Sequence, residues 1–478
     1  MDSQNVFNFH QNIEKALADS QLRNNLKTGM DSMSQKRKAV FSDEERLEKL
    51  RDIGNAIRQR TLKKLPELLE QLEARCKENG IHVHWAETIT EANQIVLDVI
   101  QKHNATKVVK QKSMVSEEMH LNHFLEERDI EIMETDLGEF IIQLAHEGPS
   151  HIIVPAIHKN KIQISKLFHE KIKDAPYTEE VEELNALARK TLRQKFFEGE
   201  IGISGVNFAV AETGTLCLVE NEGNGRMCTT LPPVHIAIMG LEKVYEKMSD
   251  IPPVLSLLAG SATGQRITTY FNMIKGPRQD GEKDGPQEVH LVLLDNGRSH
   301  ILSDPELRET LLCIRCGTCL NHCPVYTRLG GHAYGFIYPG PIGTILTPQI
   351  EGLKEAGTLL TASSLCNACE EVCPVRIPIA HIIRKLRAAS YSGGPDVPNA
   401  KQKGYKKSPI EKMIWKGWEQ AYSKPGLNSL FVRLGGMFSG MVPKVGPLKY
   451  WTSVRSMPKL SKKSLHQLAK EMEDVENE

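Results

Sequence analysis

Along residues 42–80 the apolar positions recur at helical spacing within SDEERLEKLRDIGNAIRQRTLKKLPELLEQLEARCKENG. Ser42 and Asp43 stand at its start as candidate caps and Gly80 at its end. Pro66 predicts a break, or the first turn of a second helix. From about residue 80 the pattern changes. Short β-branched runs, IHVHWA (81–86), TKVVK (106–110), IEIME (130–134) and HIIVPA (151–156), alternate with helical stretches such as ITEANQIVLDVIQKH and VSEEMHLNHFLEER. That alternation predicts βα units on a mostly parallel sheet. A second group of strands is predicted in IGISG, NFAVAETGTLCLVEN (207–221), VHIAIMG (234–240), ITTYFNMI and EVHLVLLDN (288–296). Within 207–221, Glu212-Thr213-Gly214 reads as the turn of an antiparallel hairpin. GPRQDGEKDGPQ (276–287) reads as a polar surface loop. DPELRETLLCIRC reads as a short helix leading into a run of cysteines, and the Gly/Pro-rich 330–349 as an irregular wrap.

The expected organisation is an α/β domain with a mostly parallel sheet, followed by a smaller module around a run of cysteines. Its segments are 1–70, helical; 71–300, α/β; 301–394, the cysteine module; and 395–478, a basic helical tail.

Length and charge narrow the function classes. The chain has 478 residues, with 60 Lys+Arg against 60 Asp+Glu. A net charge of zero argues against a whole-chain nucleic-acid binder. With 40% hydrophobic and 25% charged residues the composition fits a globular protein. No run of eighteen apolar residues occurs, and MDSQNVFNFHQNIEK lacks a basic segment followed by an apolar one, so a cytoplasmic location is expected. Between Lys401 and Lys463, 14 Lys/Arg face two acids, Glu411 and Glu419. Trp415, Trp418 and Tyr422 lie there at helical spacing, either packing on the protein or docking an acidic partner or a membrane.

Seven of the ten cysteines fall between Cys313 and Cys373. Packed into one segment of a large chain, they read as metal ligands and not as a disulfide scaffold. The first run is Cys313-x2-Cys316-x2-Cys319-x3-Cys323-Pro324, and the second is Cys366-x2-Cys369-x3-Cys373-Pro374. Zinc takes four ligands, usually as two separated pairs, and fits four cysteines within eleven residues poorly. In the two-cluster ferredoxin pattern three closely spaced cysteines wrap one iron–sulfur cluster, and the cysteine before proline ligates the other. Cys313, Cys316, Cys319 and Cys373 then hold one cluster, and Cys323, Cys366 and Cys369 the second. Alignment of the runs puts Ser363 where a fourth thiol is missing. An alkoxide from Ser363, a ligand from elsewhere and a three-iron cluster are all compatible with that gap. Both clusters are expected to be 4Fe-4S, with 3Fe-4S open at the second site.

Two neighbouring clusters make a relay for single electrons. No G-x-G-x-x-G follows a predicted strand, and no G-x-x-x-x-G-K-[ST] is present. Weaker small-ligand candidates are Glu212–Thr215, Asn224-Gly225-Arg226 and Ser261-Ala262-Thr263-Gly264, which ordinary turn chemistry explains as well. His82 and His84 share one side of a strand without a third ligand in sequence, and Cys76, Cys217 and Cys228 read as buried thiols.

Several segments together carry a resemblance: METD (133–136), IVPAIHKNK (153–161), GVNFAVAETGTLCLVENEGNGRM (205–227), DNGRSHIL (295–302), CIRCGTCLNHCPVY (313–326), GGHAYGFIYPGPIG (330–343) and SSLCNACEEVCPVRIP (363–378). The chain resembles the lactate utilization protein B family, the iron–sulfur component of a bacterial three-protein L-lactate oxidation system. The resemblance implies a lactate-utilization (LUD-type) α/β domain with a mostly parallel sheet, followed by an α-helical ferredoxin-like two-cluster 4Fe-4S module, and partner proteins A and C. It implies an electron-transfer role while L-lactate becomes pyruvate; an electron acceptor is expected as a further partner, with the membrane as one candidate location for it. It also implies that a chain without cysteine at 363 follows the family pattern. The expectation is a non-catalytic electron-transfer subunit without a catalytic residue of its own. The alternative is a lactate dehydrogenase subunit whose α/β domain binds the substrate.

Overall fold

The computed structural model describes residues 9–392, 409–437, 463, 467–470 and 472. The chain divides into two compact units, Met1–Gly404 and Tyr405–Glu478. Ten strands are described: β1 (Ile81–Ala86), β2 (Lys107–Lys110), β3 (Glu131–Glu134), β4 (Ile201–Gly205), β5 (Phe208–Val210), β6 (Thr215–Glu220), β7 (Val234–Gly240), β8 (Val244–Tyr245), β9 (Tyr270–Ile274) and β10 (Glu288–Leu294).

Six of them form an entirely parallel sheet in the order β1-β10-β7-β4-β2-β3. A strand inside such a sheet is covered on both faces and so loses the polar alternation of a half-exposed strand. All seven residues of β7 are buried, and six of seven in β10. Alternate residues feed two different cores. Val234, Ile236, Ile238, Val292 and Leu294 pack with Ala92, Val96 and Ile100 of helix Ile89–Lys102. Ala237, Met239, Leu291 and Leu293 join the core that contains Leu320, Tyr326, Ile345 and the buried cysteines. The cysteine module is thus built on one face of the sheet.

The predicted hairpin is present. β5 and β6 pair antiparallel around Thr213-Gly214, within a smaller sheet ordered β8-β5-β6-β9. The expected mostly parallel α/β architecture followed by a helical cysteine module is what the chain forms.

The N-terminal helices follow their local signals. Asp43 accepts the Arg46 N–H and opens helix Glu44–Lys63. Pro66 sits in the first turn of helix Leu65–Glu78, where its missing N–H costs nothing.

Three expectations are corrected. HIIVPA is a tight loop, not a strand, because His151 Nδ1 takes the N–H groups of Ile153 and Val154 that a neighbouring strand would need. The stretch 330–349 is not wholly irregular, because Gly340–Ile350 forms a helix buried from Gly340 to Gln349. VSEEMHLNHFLEER forms two short helices, Met114–Glu118 and Leu121–Glu126, parted at His120, whose φ of 51° is left-handed.

In the second unit, helices Pro409–Ser423 and Pro425–Met437 are described. Trp415, Trp418 and Tyr422 are about half exposed, Trp418 stacks on Tyr422 at 4.3 Å, and Tyr422 lies 6.3 Å from Phe431. The rest of the predicted basic tail lies largely outside the described residues.

Candidate metal centre

The two cysteine runs adopt one backbone pattern twice. After Cys313, Arg315 (φ 62°) and Gly317 (φ 73°) turn left-handed, and the short helix Thr318–Asn321 leads to Cys323. After Ser363, Leu365 (φ 56°) and Asn367 (φ 64°) do the same, and helix Ala368–Glu371 leads to Cys373. Left-handed residues at these offsets curl each loop inward, so that side chains three apart converge. Gly317 is required on two counts. A Cβ there would lie 3.0 Å from Ile153 and 3.2 Å from His151.

The repeat extends to Ser363. The Arg315 N–H points at Cys313 Sγ from 3.3 Å, and the Leu365 N–H at Ser363 Oγ from 3.2 Å. The serine oxygen therefore occupies the place of the first sulfur of the other run.

Two hollows lie between the runs, and each draws on both. Cys313, Cys316 and Cys319 line the first, together with Cys373 and Ile152. Cys366 and Cys369 line the second, together with Cys323 and Ser363. Each of the seven predicted cysteines faces one of these two spaces, and each proline-flanked cysteine faces the space of the opposite run.

The spaces differ in depth. Cys316, Cys319, Cys323 and Cys373 are buried and Cys313 and Cys369 partly so, while Ser364–Asn367 bring Cys366 to the surface. Burial pushes the Cys373 thiol up to about 11 and Cys369 up to about 12, and Cys323 adds to the shift at Cys369. Cys316 and Cys319 are raised by burial first and by neighbouring sulfurs next. Crowded, buried sulfurs of this kind become thiolates only when cations are placed among them. The donors are all soft except one oxygen, a set that suits an iron–sulfur cluster. Backbone amides serve the same sulfurs. Ile377 N–H lies 3.3 Å from Cys373 Sγ and Tyr326 N–H 3.5 Å from Cys323 Sγ.

The cysteine loops are held from the far end of the chain. Arg51 Nε donates to Cys373 O (3.0 Å), Asn55 to Val375 O (2.8 Å), and Arg37 to Val372 O (3.3 Å). Arg58, almost fully buried, donates to Leu311 O (2.8 Å) and Leu312 O (3.3 Å), and its guanidinium lies over the Tyr245 ring. Residues 51, 55 and 58 make one stripe on helix Glu44–Lys63. Sequence reasoning missed their role. In sequence the stripe is indistinguishable from the solvated polar face of a surface helix.

A buried chain of charges connects the module to the sheet. Arg298, just beyond β10, pairs with Glu118 (2.8 Å) and Glu242 (2.7 Å), and Glu242 also meets Arg315 (3.1 Å). Against the burial that raises it, Arg298 and then Arg315 hold the Glu242 carboxyl at about 2. Burial lowers Arg315, but Cys313 first, then Tyr338 and Glu242, outweigh it and keep the guanidinium charged.

The other sequence candidates are otherwise engaged. The Gly225 and Arg226 N–H groups, which open helix Asn224–Thr230, are taken by Glu220 at 2.6 and 2.8 Å. Ser261–Gly264 lies at the C-terminal end of helix Ile251–Thr263, the negative end of its dipole, which disfavours the anion cradle considered from sequence. Thr213 O of the hairpin turn accepts from Asn79. Cys76, Cys217 and Cys228 are buried thiols, each pushed up to about 12 by burial, and none lines either hollow.

Comparison with known proteins matches the same segments. Residues 69–294 match the LUD domain, 309–377 the 4Fe-4S dicluster domain, and 385–474 the C-terminal domain of lactate utilisation protein B. The chain is 41% identical over 465 residues to lactate utilization protein B of Bacillus subtilis (strain 168), covering 94% of this chain and 93% of that one. It is 42% identical over 474 residues to lactate utilization protein B of Bacillus cytotoxicus, with 97% of each covered. It is 41% identical over 458 residues to the uncharacterized electron transport protein YkgF of Escherichia coli (strain K12), with 94% of each covered. At this identity over nearly the whole length, with the cysteine loops folded as a two-site module, the chain belongs to the lactate utilization protein B family.

Proposed function

We propose that the protein carries electrons in the oxidation of L-lactate to pyruvate, working with proteins A and C of the same system and passing electrons to a further acceptor. The observation that supports this most is the pair of hollows, each lined by sulfurs of both cysteine runs. An iron–sulfur cluster bound there supplies one-electron redox chemistry. Cys313, Cys316, Cys319 and Cys373 would hold one 4Fe-4S cluster, and Cys323, Cys366 and Cys369 the second, with Ser363 Oγ placed as its oxygen neighbour. The remaining residues set the surroundings. Backbone N–H groups stabilise sulfur charge, the arginines offset it, and burial of the first site keeps water away. The exposed Ser364–Asn367 loop is the natural face for an electron-transfer partner, because exchange requires close approach. No helix among the described residues is long and apolar enough to cross a membrane. The domain boundaries 71–300 and 301–394 follow from the same reading.

The test is electron paramagnetic resonance on anaerobically purified protein, before and after reduction. Two reducible centres are expected with dithionite. L-Lactate is expected to reduce them only when proteins A and C are present. Colourless, zinc-containing protein without acid-labile sulfide would overturn the proposal. Reduction by lactate with this chain alone would favour the catalytic alternative.

Arg315 makes a finer test. Arg315→Met removes a buried cation beside Cys313, which disfavours the additional negative charge of the reduced state. The midpoint potential of the buried site should fall by on the order of 50 mV. A redox titration that finds it unchanged excludes Arg315 from tuning.

A further inference from the structure

His82 and His84 lack a third ligand in sequence, but the fold brings other donors beside them. β1 and β10 pair in parallel with His82 opposite His290, and His103 caps the C-terminus of helix Ile89–Lys102. His103 Nε2 and His290 Nε2 each lie 3.3 Å from the same oxygen, Glu288 Oε2. The three donor atoms lie within 4.8 Å of one another. A tetrahedral ion bound at about 2.1 Å holds neighbouring donors about 3.4 Å apart. We propose that His103, Glu288 and His290 form a binding site for a divalent transition-metal ion. Two imidazoles and one carboxylate, with a fourth position open to water, match zinc best.

The surroundings orient the donors without the ion. His290 Nδ1 lies 3.0 Å from His84 Nε2. With His84 as acceptor, the His290 proton sits on Nδ1 and the Nε2 lone pair faces Glu288. Metal-ligating histidines are held in this way by a partner on the second nitrogen. The ring of His290 is buried and stacks on His82 and His84, with centroids 4.9 and 5.3 Å away. The position next to Glu288 Oε2 is shared with Lys102 Nζ at 2.9 Å. The Lys102 side chain is 58% exposed, so it can turn into solvent when a doubly charged ion takes its place.

The site lies where β1 and β10 begin, whereas Glu242 and Arg298, which reach the cysteine module, follow the strand ends. The ion therefore acts structurally. It ties the end of helix Ile89–Lys102 to the start of β10 and takes no part in electron flow.

The experiment uses cluster-loaded full-length protein, so that the seven module cysteines do not compete. After chelator treatment, zinc chloride is titrated calorimetrically under anaerobic conditions. One equivalent is expected to bind with micromolar or better affinity and to raise the melting temperature. His290→Gln and His103→Gln should each weaken binding at least about 100-fold, and His84→Gln about tenfold. Lys102→Gln should strengthen binding, because it removes the competing cation. Cluster absorbance should be the same in all variants. His103 is partly exposed, so its variant tests the site even if the buried His290 variant folds poorly. The proposal is overturned if the wild type takes up no zinc, or if His103→Gln binds it as tightly as the wild type. Neither result bears on the clusters.

Discussion

Cys373→Ala is expected to empty the site formed by the first cysteine run, and Cys323→Ala the site formed by the second. Neither expectation follows from proximity in sequence, since Cys373 stands four residues from Cys369 and fifty-four from Cys319. It follows from the two hollows, in which Cys373 faces Cys313, Cys316 and Cys319 while Cys323 faces Cys366 and Cys369. Each variant should lose about half of the iron and acid-labile sulfide. The paramagnetic spectrum of Cys373→Ala should match that of Cys316→Ala, and the spectrum of Cys323→Ala that of Cys366→Ala. The opposite pairing of spectra would mean that each run ligates its own cluster. The buried site should be the costlier loss, because Cys316, Cys319 and Cys373 belong to the main core.

Glu242→Leu is expected to destabilise the first unit by about 3–5 kcal/mol, among the largest effects of a single substitution away from the cysteines. Glu242 has no exposed surface and holds Arg298 through one oxygen and Arg315 through the other. Its removal leaves two buried guanidiniums short of charge, with only Glu118 left to answer Arg298. A drop in melting temperature measured against Glu242→Gln separates the charge from the shape. The pH dependence has a definite sign. The folded-state carboxyl is held at about 2, below the roughly 4.3 of an unfolded glutamate. Its stabilising contribution is therefore complete above the unfolded value and is lost as pH falls from about 4.3 toward 2. The wild type should lose stability across that window more steeply than Glu242→Leu.

What the sequence revealed and what it hid follow from how local each signal is. The cysteine spacing is a local code, and all seven residues could be named from it. The β-branched runs at β7 and β10 declared themselves because a doubly covered strand is apolar along its length. HIIVPA carried the same composition and failed as a strand, because its first residue, His151, captured the backbone donors. Helix Gly340–Ile350 was hidden by its glycines and by Pro348, which counts against a helix interior locally, whereas Pro341 stands in the first turn, where its missing N–H costs nothing. The arginines of helix Glu44–Lys63 were unreadable for a different reason. An arginine that donates to carbonyls hundreds of residues away looks, in sequence, like any solvated charge. The same holds for His103, which only the placement of helix Ile89–Lys102 beside β10 brings to the carboxylate of Glu288, two residues from His290 on the same strand.

The reach of Arg51 to the carbonyl of Cys373 spans 322 residues of chain. During synthesis at roughly 5–20 residues per second, the N-terminal helices leave the ribosome some 15–60 s before the loop they clamp exists. Until then Arg51 and Asn55 lack the carbonyls of Cys373 and Val375, although the Arg58 acceptors at Glu242, Val244, Leu311 and Leu312 are already made. Loading of iron and sulfide therefore belongs to the end of biogenesis, after the last cysteine has emerged, and a chain cut short before residue 373 would leave Arg51 without the Cys373 carbonyl that it clamps.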